Sequence, residues 1–591
     1  MKIADLKNNR LFQTLPYLIF FLISTFFFYS FASYVFFYQE KSSLFLVSSD
    51  FLREHFDQPG GFLEYVSKLL AAFYYHKIVG SVLMSLVILG AVFFLSRIGK
   101  EISGKSAFFL PFLAGVLMVI LQTNYQFAAL NNIGIFLQLL FYYSTLRFLK
   151  GNFEWMTVAV FPFWYFLTGG FSWIFLVLFM MRLAVKRENL WWAKIAAILL
   201  LAAVSVYVSM EFLFFETPGT LLQFPFSVQN TGMQVQIFAI LVFIVLTGPL
   251  VFGIIRNRNQ NGSEKIYQLL QWSPFVILIG LGIALIFRID EKNRHYFHVE
   301  ELFYKQEYEK LIAFNAASPS NNILTNYLNN IALTETGQLT SRLFEFPQSP
   351  DGSTLFLEWE IVGEVLRRGG YFYYTVGMVN EANRWAYEYM VMRGLTPEVL
   401  KMLIKTELIN GNYRVAEKYI SILKKSIYYR PEAKKFEKLL FDDMAVNAHP
   451  ELGEKKRLKP KVDFFVRSDE PAANLEYLVS TDSTNIYALE YQFAWMLLQK
   501  DVQSVGMNLP LLEKFGYRQM PRHIQEAAAG YKMLQMGPFP ELNYLEIDPR
   551  IEQRFRQYYQ IFQQNSSSKQ RAQQALYPNF NDTFWYYLFF N

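Results

Sequence analysis

The chain has no cysteine among its 591 residues. That excludes thiol nucleophiles, zinc–thiolate sites and iron–sulfur clusters. It leaves room for a large folded domain outside the cytoplasm, because a core of that size holds without disulfides. Histidine is scarce as well, with six in all, of which His295, His298, His449 and His523 lie in the second half. His295 and His298 are near enough in sequence to share a metal, but ordinary polar surface just beyond the last apolar run is the favoured reading. The second half has no glycine loop of the phosphate-cradling kind and no Ser–His–Asp set. The apolar runs of the first half contain no chain of Asp, Glu, His or Lys, and Glu211 sits near the end of one run. Ion- and proton-coupled transporters carry such charges inside their spans. That class is therefore disfavoured, while a flippase for an uncharged or lipid-like substrate stays open.

What the chain does have is long apolar runs. Apolar residues make up 53% of it and its mean hydropathy is +0.17. A membrane span needs about 20 such residues to cross roughly 30 Å of hydrocarbon. Nine stretches qualify as candidates: 15–38, 78–95, 107–123, 130–147, 154–168, 171–184, 191–213, 236–255 and 269–288. The first follows Lys2, Lys7 and Arg10 as a signal peptide would. It is too long for one and lacks a small-x-small cleavage site, so it reads as a retained span. The short loops alternate in charge. One set carries fifteen Lys and Arg, from Lys2 to Lys265 and including Arg182 and Lys194; the other carries only Lys41, Arg53, Lys68 and Lys77. Positive loops mark the cytoplasmic side. The expectation is a multi-pass membrane domain over 1–288, with a cytoplasmic N-terminus and residues 289–591 outside the cytoplasm. The net charge of +6 belongs largely to those loops and gives no nucleic-acid surface. Gly169–Gly170 parts two short runs, either as half-spans lining a cavity or as a tight hairpin; glycine pairs are common hairpin turns, which favours the second.

The first outer loop, 39–77, carries the most chemistry. Phe45, Leu46, Phe51, Leu52 and Phe56 interleave with Asp50, Arg53, Glu54, His55 and Asp57. After Pro59-Gly60-Gly61, the residues Phe62, Tyr65, Val66, Leu69 and Leu70 recur at helical spacing. Both stretches read as amphipathic helices lying in the membrane interface. Asp57 could also cap the turn at Pro59. A second outer loop, 214–235, contains Glu216, Pro218, Gly219 and Pro225.

Beyond Arg288 helical patterns dominate. Gly377, Ala382 and Trp385 recur 34 residues later as Gly411, Ala416 and Tyr419, and Tyr413 adds an aromatic that the first copy lacks. A 34-residue period is that of the tetratricopeptide repeat. Gly411 is expected to allow close helix approach, with Tyr413 and Ala416 packing the hairpin. The stretches 303–333 and 485–516 share the rhythm. The polar text between Asp442 and Lys461 predicts a linker between two helical subdomains, 289–441 and 462–591. The aromatic ending, Phe584 to Phe590, would aggregate if exposed, so it is expected to dock on the last helices. The fold class is all-α: about nine spans, then a tetratricopeptide-like soluble domain.

The stretches QPGGFLEYVSKLLAAFYY (58–75), YFLTGG (165–170), NEANRWAYEYMVMRG (380–394), LINGNYRVAEKYISILKK (408–425) and DTFWYYLFF (582–590) span most of the chain. With them it resembles an uncharacterised family of bacterial polytopic membrane proteins with a tetratricopeptide-like second half. The layout is also similar to that of GT-C-type glycosyltransferases, which use lipid-linked sugar donors. In that class a carboxylate of the first outer loop acts as base or metal ligand. The resemblance implies that role for Asp50, Glu54 or Asp57, with a divalent metal and a polyprenyl-linked sugar as partners. No acidic motif at a diagnostic spacing accompanies it. The residues themselves imply no cofactor and no nucleic acid. The leading expectation is an inner-membrane protein whose helical repeats bind an envelope protein, in a scaffold or assembly role; the sugar transferase is the alternative.

Overall fold

The computed structural model describes residues 10–103, 109–149, 153–186, 190–226, 232–259, 264–359, 364–462, 464–467 and 469–590. Every element among them is helical, and the single strand-like pairing is an isolated bridge between Leu46 and Ser426. The chain forms two compact units. One is Met1–Glu291 with Lys425–Tyr428, and the other is Lys292–Lys424 with Tyr429–Asn591.

The first unit is built round the helix Lys77–Ser103. Met84, Ile88, Ala91, Val92, Leu95 and Ile98 recur on one face at helical spacing and are buried. Ile78, Leu86 and Phe93 face outward and are exposed. The hydroxyls of Ser81 and Ser96 donate to the carbonyls of Lys77 and Val92, each at 2.8 Å, so these polar side chains sit in an apolar helix without loss. The helices Arg10–Ser30, Phe109–Gln122, Ala129–Phe148 and Gly232–Asn259 pack around it.

Among the described residues, four stretches are long and apolar enough by length and composition to cross a membrane: Gln13–Ser30, Lys77–Ile102, Glu154–Ala184 and Trp191–Leu213. A fifth is added when Trp272–Ile286 is joined to the helix after it. The expected run 15–38 is not one helix. It breaks at Phe31–Ala32, where both amides bond back to the Phe27 carbonyl, and resumes as Ser33–Lys41. Phe109–Gln122 is apolar but has 14 residues. Ala129–Phe148 is long enough but carries Asn131, Asn132 and Gln138, all fully buried. Asn132 Nδ2 donates to Gln122 Oε1 at 2.9 Å, and Trp164 Nε1 donates to Gln138 Oε1 at 2.7 Å. Polar side chains here join helix to helix, as they do where no water is at hand.

The stretch Glu154–Ala184 folds back on itself at Gly169, whose φ is +57°. Tyr165 meets Trp173 at 5.4 Å between ring centroids, Phe161 meets Phe175 at 6.4 Å, and Glu154 bonds Arg182 at 2.8 Å. Each step back along one arm is a step forward along the other, which is the geometry of a hairpin. Each arm has 15 residues, or about 22 Å at 1.5 Å per residue. At the open end Glu154 also takes Lys194 at 2.5 Å, and all three side chains are buried. Two of the fifteen cations counted as loop charges, Arg182 and Lys194, are thus packed around one carboxylate.

At the closed end three segments far apart in sequence meet backbone to backbone. The Gly60 amide donates to the Phe166 carbonyl at 2.8 Å and the Gly170 amide to the Phe224 carbonyl at 2.7 Å. A Cβ on Gly60 would lie 2.6 Å from Pro225 Cδ, and one on Gly169 2.8 Å from the Pro59 carbonyl oxygen. Tyr165 and Trp173 donate to the carbonyls of Leu221 and Leu222, at 3.1 and 2.9 Å. These are end-of-helix carbonyls of Pro218–Gln223 that have no partner within their own helix.

In the second unit, Val365–Thr375 and Val379–Arg393 form one helical hairpin and Pro397–Asn410 and Tyr413–Lys424 the next, each helix packing on its successor. The turns are closed alike. Met378 N bonds to Tyr373 O at 2.8 Å and Asn412 N to Glu407 O at 2.9 Å, with Gly377 and Gly411 at φ +84° and +75°. This is the Schellman closure that favours glycine, and it recurs at the 34-residue spacing read from the sequence. The expected linker 442–461 is instead two helices, Asp443–Ala448 and Pro450–Leu458. Val446, Leu452 and Lys455 there are buried, because a few apolar residues among many charges suffice to dock a short helix. The second unit is accordingly one body. The aromatic end is the helix Phe584–Phe590, with Phe584, Trp585, Tyr586 and Tyr587 buried. Trp585 Nε1 donates to Glu526 O at 2.7 Å and Tyr587 OH to Leu498 O at 3.0 Å.

Candidate binding cavity

Three helices of the second unit turn polar stripes inward, two of them charged. Pro397–Asn410 presents Glu398, Lys401 and Lys405; Pro450–Leu458 presents Glu451, Glu454 and Lys455; Val365–Thr375 presents Tyr371, Tyr374 and Thr375. Each set is spaced i, i+3, i+4 or i+7, so each lies on one face. With Tyr304, Tyr308, Glu335 and Glu432 they enclose a cavity of about 330 Å³.

Its charges are interlocked. Lys401 bonds Glu398 at 3.2 Å and Glu432 at 3.0 Å, Lys405 bonds Glu451 at 2.6 Å, and Lys455 bonds Glu335 at 2.8 Å. Burial opposes the charge on Lys401, but Glu398 and then Glu432 outweigh it, holding the ammonium above the usual lysine range. Burial likewise opposes the charge on Glu451; Lys405 prevails and the carboxyl titrates below its ordinary value. Tyr374 OH donates to Glu451 Oε1 at 2.9 Å, and burial followed by that carboxylate raises its phenol.

Beneath Tyr304 lies a second layer. Its hydroxyl donates to Glu300 Oε1 at 2.6 Å, and Arg368 Nη2 reaches the same oxygen at 2.6 Å while its Nη1 bonds Glu364. Arg367 lies 3.6 Å from Glu300 and 3.7 Å from Glu364 and is enclosed. Two guanidiniums and two carboxylates in this layer balance.

The residues expected to matter from the sequence fall elsewhere. Asp50 and Glu54 lie on the short helix Ser49–Glu54 and Asp57 follows it; all three are exposed. Ser48, not an acid, caps that helix, and the helix after Gly60 has no side-chain cap from Asp57 or any other residue. Within residues 49–57 the buried one is His55. Its Nδ1 faces the Phe51 carbonyl at 2.7 Å and its Nε2 faces Lys68 Nζ at 3.3 Å. Among the described residues no group of three or more His, Asp and Glu could hold a metal. His295 and His298 flank the ring of Phe314.

The repeat residues hold helices together to differing degrees. Ala382, Trp385 and Ala416 are fully buried. Trp385 lies against Gly369 and meets Trp359 at 4.6 Å. Tyr413 and Tyr419 are only half-buried, and Tyr413 OH reaches Asp443 Oδ1 at 3.0 Å, at the start of the helix Asp443–Ala448. Gly411 has nothing within 4 Å of where a Cβ would be, so its left-handed φ, not close approach, calls for glycine; Gly377 does abut the Leu458 backbone. None of these residues lines the cavity, which sequence reading missed. The signal was present as charges at helical spacing, but a charged stripe ordinarily marks the solvent face.

The model of the DUF6057 family, described as a family of unknown function, matches residues 7–591. The chain belongs to that family. No curated protein and no solved structure matches it.

Proposed function

We propose that this is a multi-pass inner-membrane protein of the bacterial envelope whose tetratricopeptide-like half captures a protein partner outside the cytoplasm. The observation that carries the reading is the cavity between consecutive helical hairpins, lined by charge of both signs and by tyrosines. Stacked hairpins use such concave faces for binding. On this reading the first half anchors the chain with up to nine segments, the shorter ones as thin or paired helices. The exposure of Asp50, Glu54 and Asp57 gives the sugar-transferase alternative no support.

The test is a photo-crosslinking amino acid in place of Tyr308, at the cavity wall, and in a second strain in place of Met507, an exposed residue outside the cavity lining. A single discrete adduct at 308, absent at 507 and lost in Ala416→Arg, is expected in living cells. No adduct at 308, or the same adduct at both positions, would overturn the reading.

A further inference from the structure

We propose that the cavity takes the ammonium or guanidinium group of a lysine or arginine side chain on the partner. This rests on the binding reading above. The lining contains five carboxylates, of Glu335, Glu398, Glu432, Glu451 and Glu454, against the three ammoniums of Lys401, Lys405 and Lys455, a formal charge of −2. Each lysine already lies within 3.2 Å of a carboxylate. An anion entering the cavity would have to pull a lysine away from its carboxylate. A cation meets an excess of negative charge with no exchange. The buried arginines below do not alter that balance, because Glu300 and Glu364 match them.

Shape and surface agree. Glu432 and Glu454 keep 37% and 35% of their side chains exposed, so the acid excess reaches solvent at the mouth. Tyrosine ring faces attract cations, and the site already shows this use, with Lys405 Nζ 5.8 Å from the centroid of Tyr374. A volume of about 330 Å³ is at the small end of the roughly 300–1,000 Å³ typical of ligand pockets. It admits a side chain with a residue or two of backbone, not a helix.

The test is calorimetric titration of the full-length protein in nanodiscs with capped tri-lysine, tri-glutamate and tri-glycine peptides and with spermidine. Tri-lysine is expected to bind, and Glu432→Gln with Glu454→Gln to weaken it roughly tenfold by removing two nearby charges. Lys401→Gln removes one of the three cations and is expected to tighten it. If that variant does not fold, as read by circular dichroism, the glutamate pair at the exposed rim decides. Tri-glutamate binding that Lys401→Gln weakens overturns the cation assignment but leaves the binding reading intact. Binding of no peptide overturns both. Spermidine binding more tightly than tri-lysine overturns the assignment to a peptide side chain.

Discussion

Glu490 is 3% exposed and accepts hydrogen bonds from the Leu339 amide at 3.3 Å and the Tyr517 hydroxyl at 3.2 Å. Burial raises its carboxyl from 4.5 to about 8; the two hydrogen bonds oppose that rise without cancelling it. Between those values the folded chain keeps a proton that the unfolded chain releases. Stability is therefore greatest below about pH 4.5 as far as this group is concerned, and falls as pH rises toward 8. Glu490→Gln should match the parent near pH 4 and exceed it at pH 8 by about 2–4 kcal/mol. Denaturant titrations at the two pH values check this, and equal effects at both would refute it. Glu154 is held by two buried cations, Arg182 at 2.8 Å and Lys194 at 2.5 Å. Glu154→Gln strands Arg182 and Lys194 in a buried place and should cost about 3–5 kcal/mol. Lys194→Met leaves the Glu154–Arg182 bond at 2.8 Å and should cost less. Heat inactivation in detergent ranks the two.

Among the helices, the two equivalent turn glycines separate conformational strain from crowding. Gly411→Ala meets only the left-handed φ of +75°, a cost of about 1–2 kcal/mol. Gly377→Ala meets φ +84° and also the Leu458 carbonyl at 2.6 Å, so its melting temperature should fall further. An equal fall for both would show that the Leu458 contact has no weight. The C-terminal helix is anchored by Trp585, which is 1% exposed and bonded to the Glu526 carbonyl. Trp585→Ala should cost about 3–5 kcal/mol and free the segment after Asn581, which limited proteolysis would read.

For the whole molecule, the proposed topology predicts opposite outcomes for two C-terminal fusions. A reporter that works only outside the cytoplasm should be active, and one that works only in the cytosol should be silent. The reverse result would remove the compartment in which an envelope partner could be met. Within the first unit, the hairpin arms bring their charged ends together at Glu154 and their glycine ends together at Gly169.

Local chemistry was readable from the residues alone. Helical content followed from periodicity, the two halves from hydropathy, the 34-residue recurrence of Gly377 and Gly411 from the text itself, and the docking of the aromatic end from its cost in water. These depend on neighbours in sequence or on the solvent. What needed the tertiary structure was the pairing of residues far apart in the chain. The break at Phe31–Ala32, the burial of Arg182 and Lys194 against Glu154, and the helices within 442–461 are all decided by what packs alongside. The cavity belongs with them. Glu335, Lys401 and Glu451 each read as ordinary surface charges, and only stacked hairpins bring them face to face, because a carboxylate and an ammonium from separate helices can neutralise one another where water is scarce.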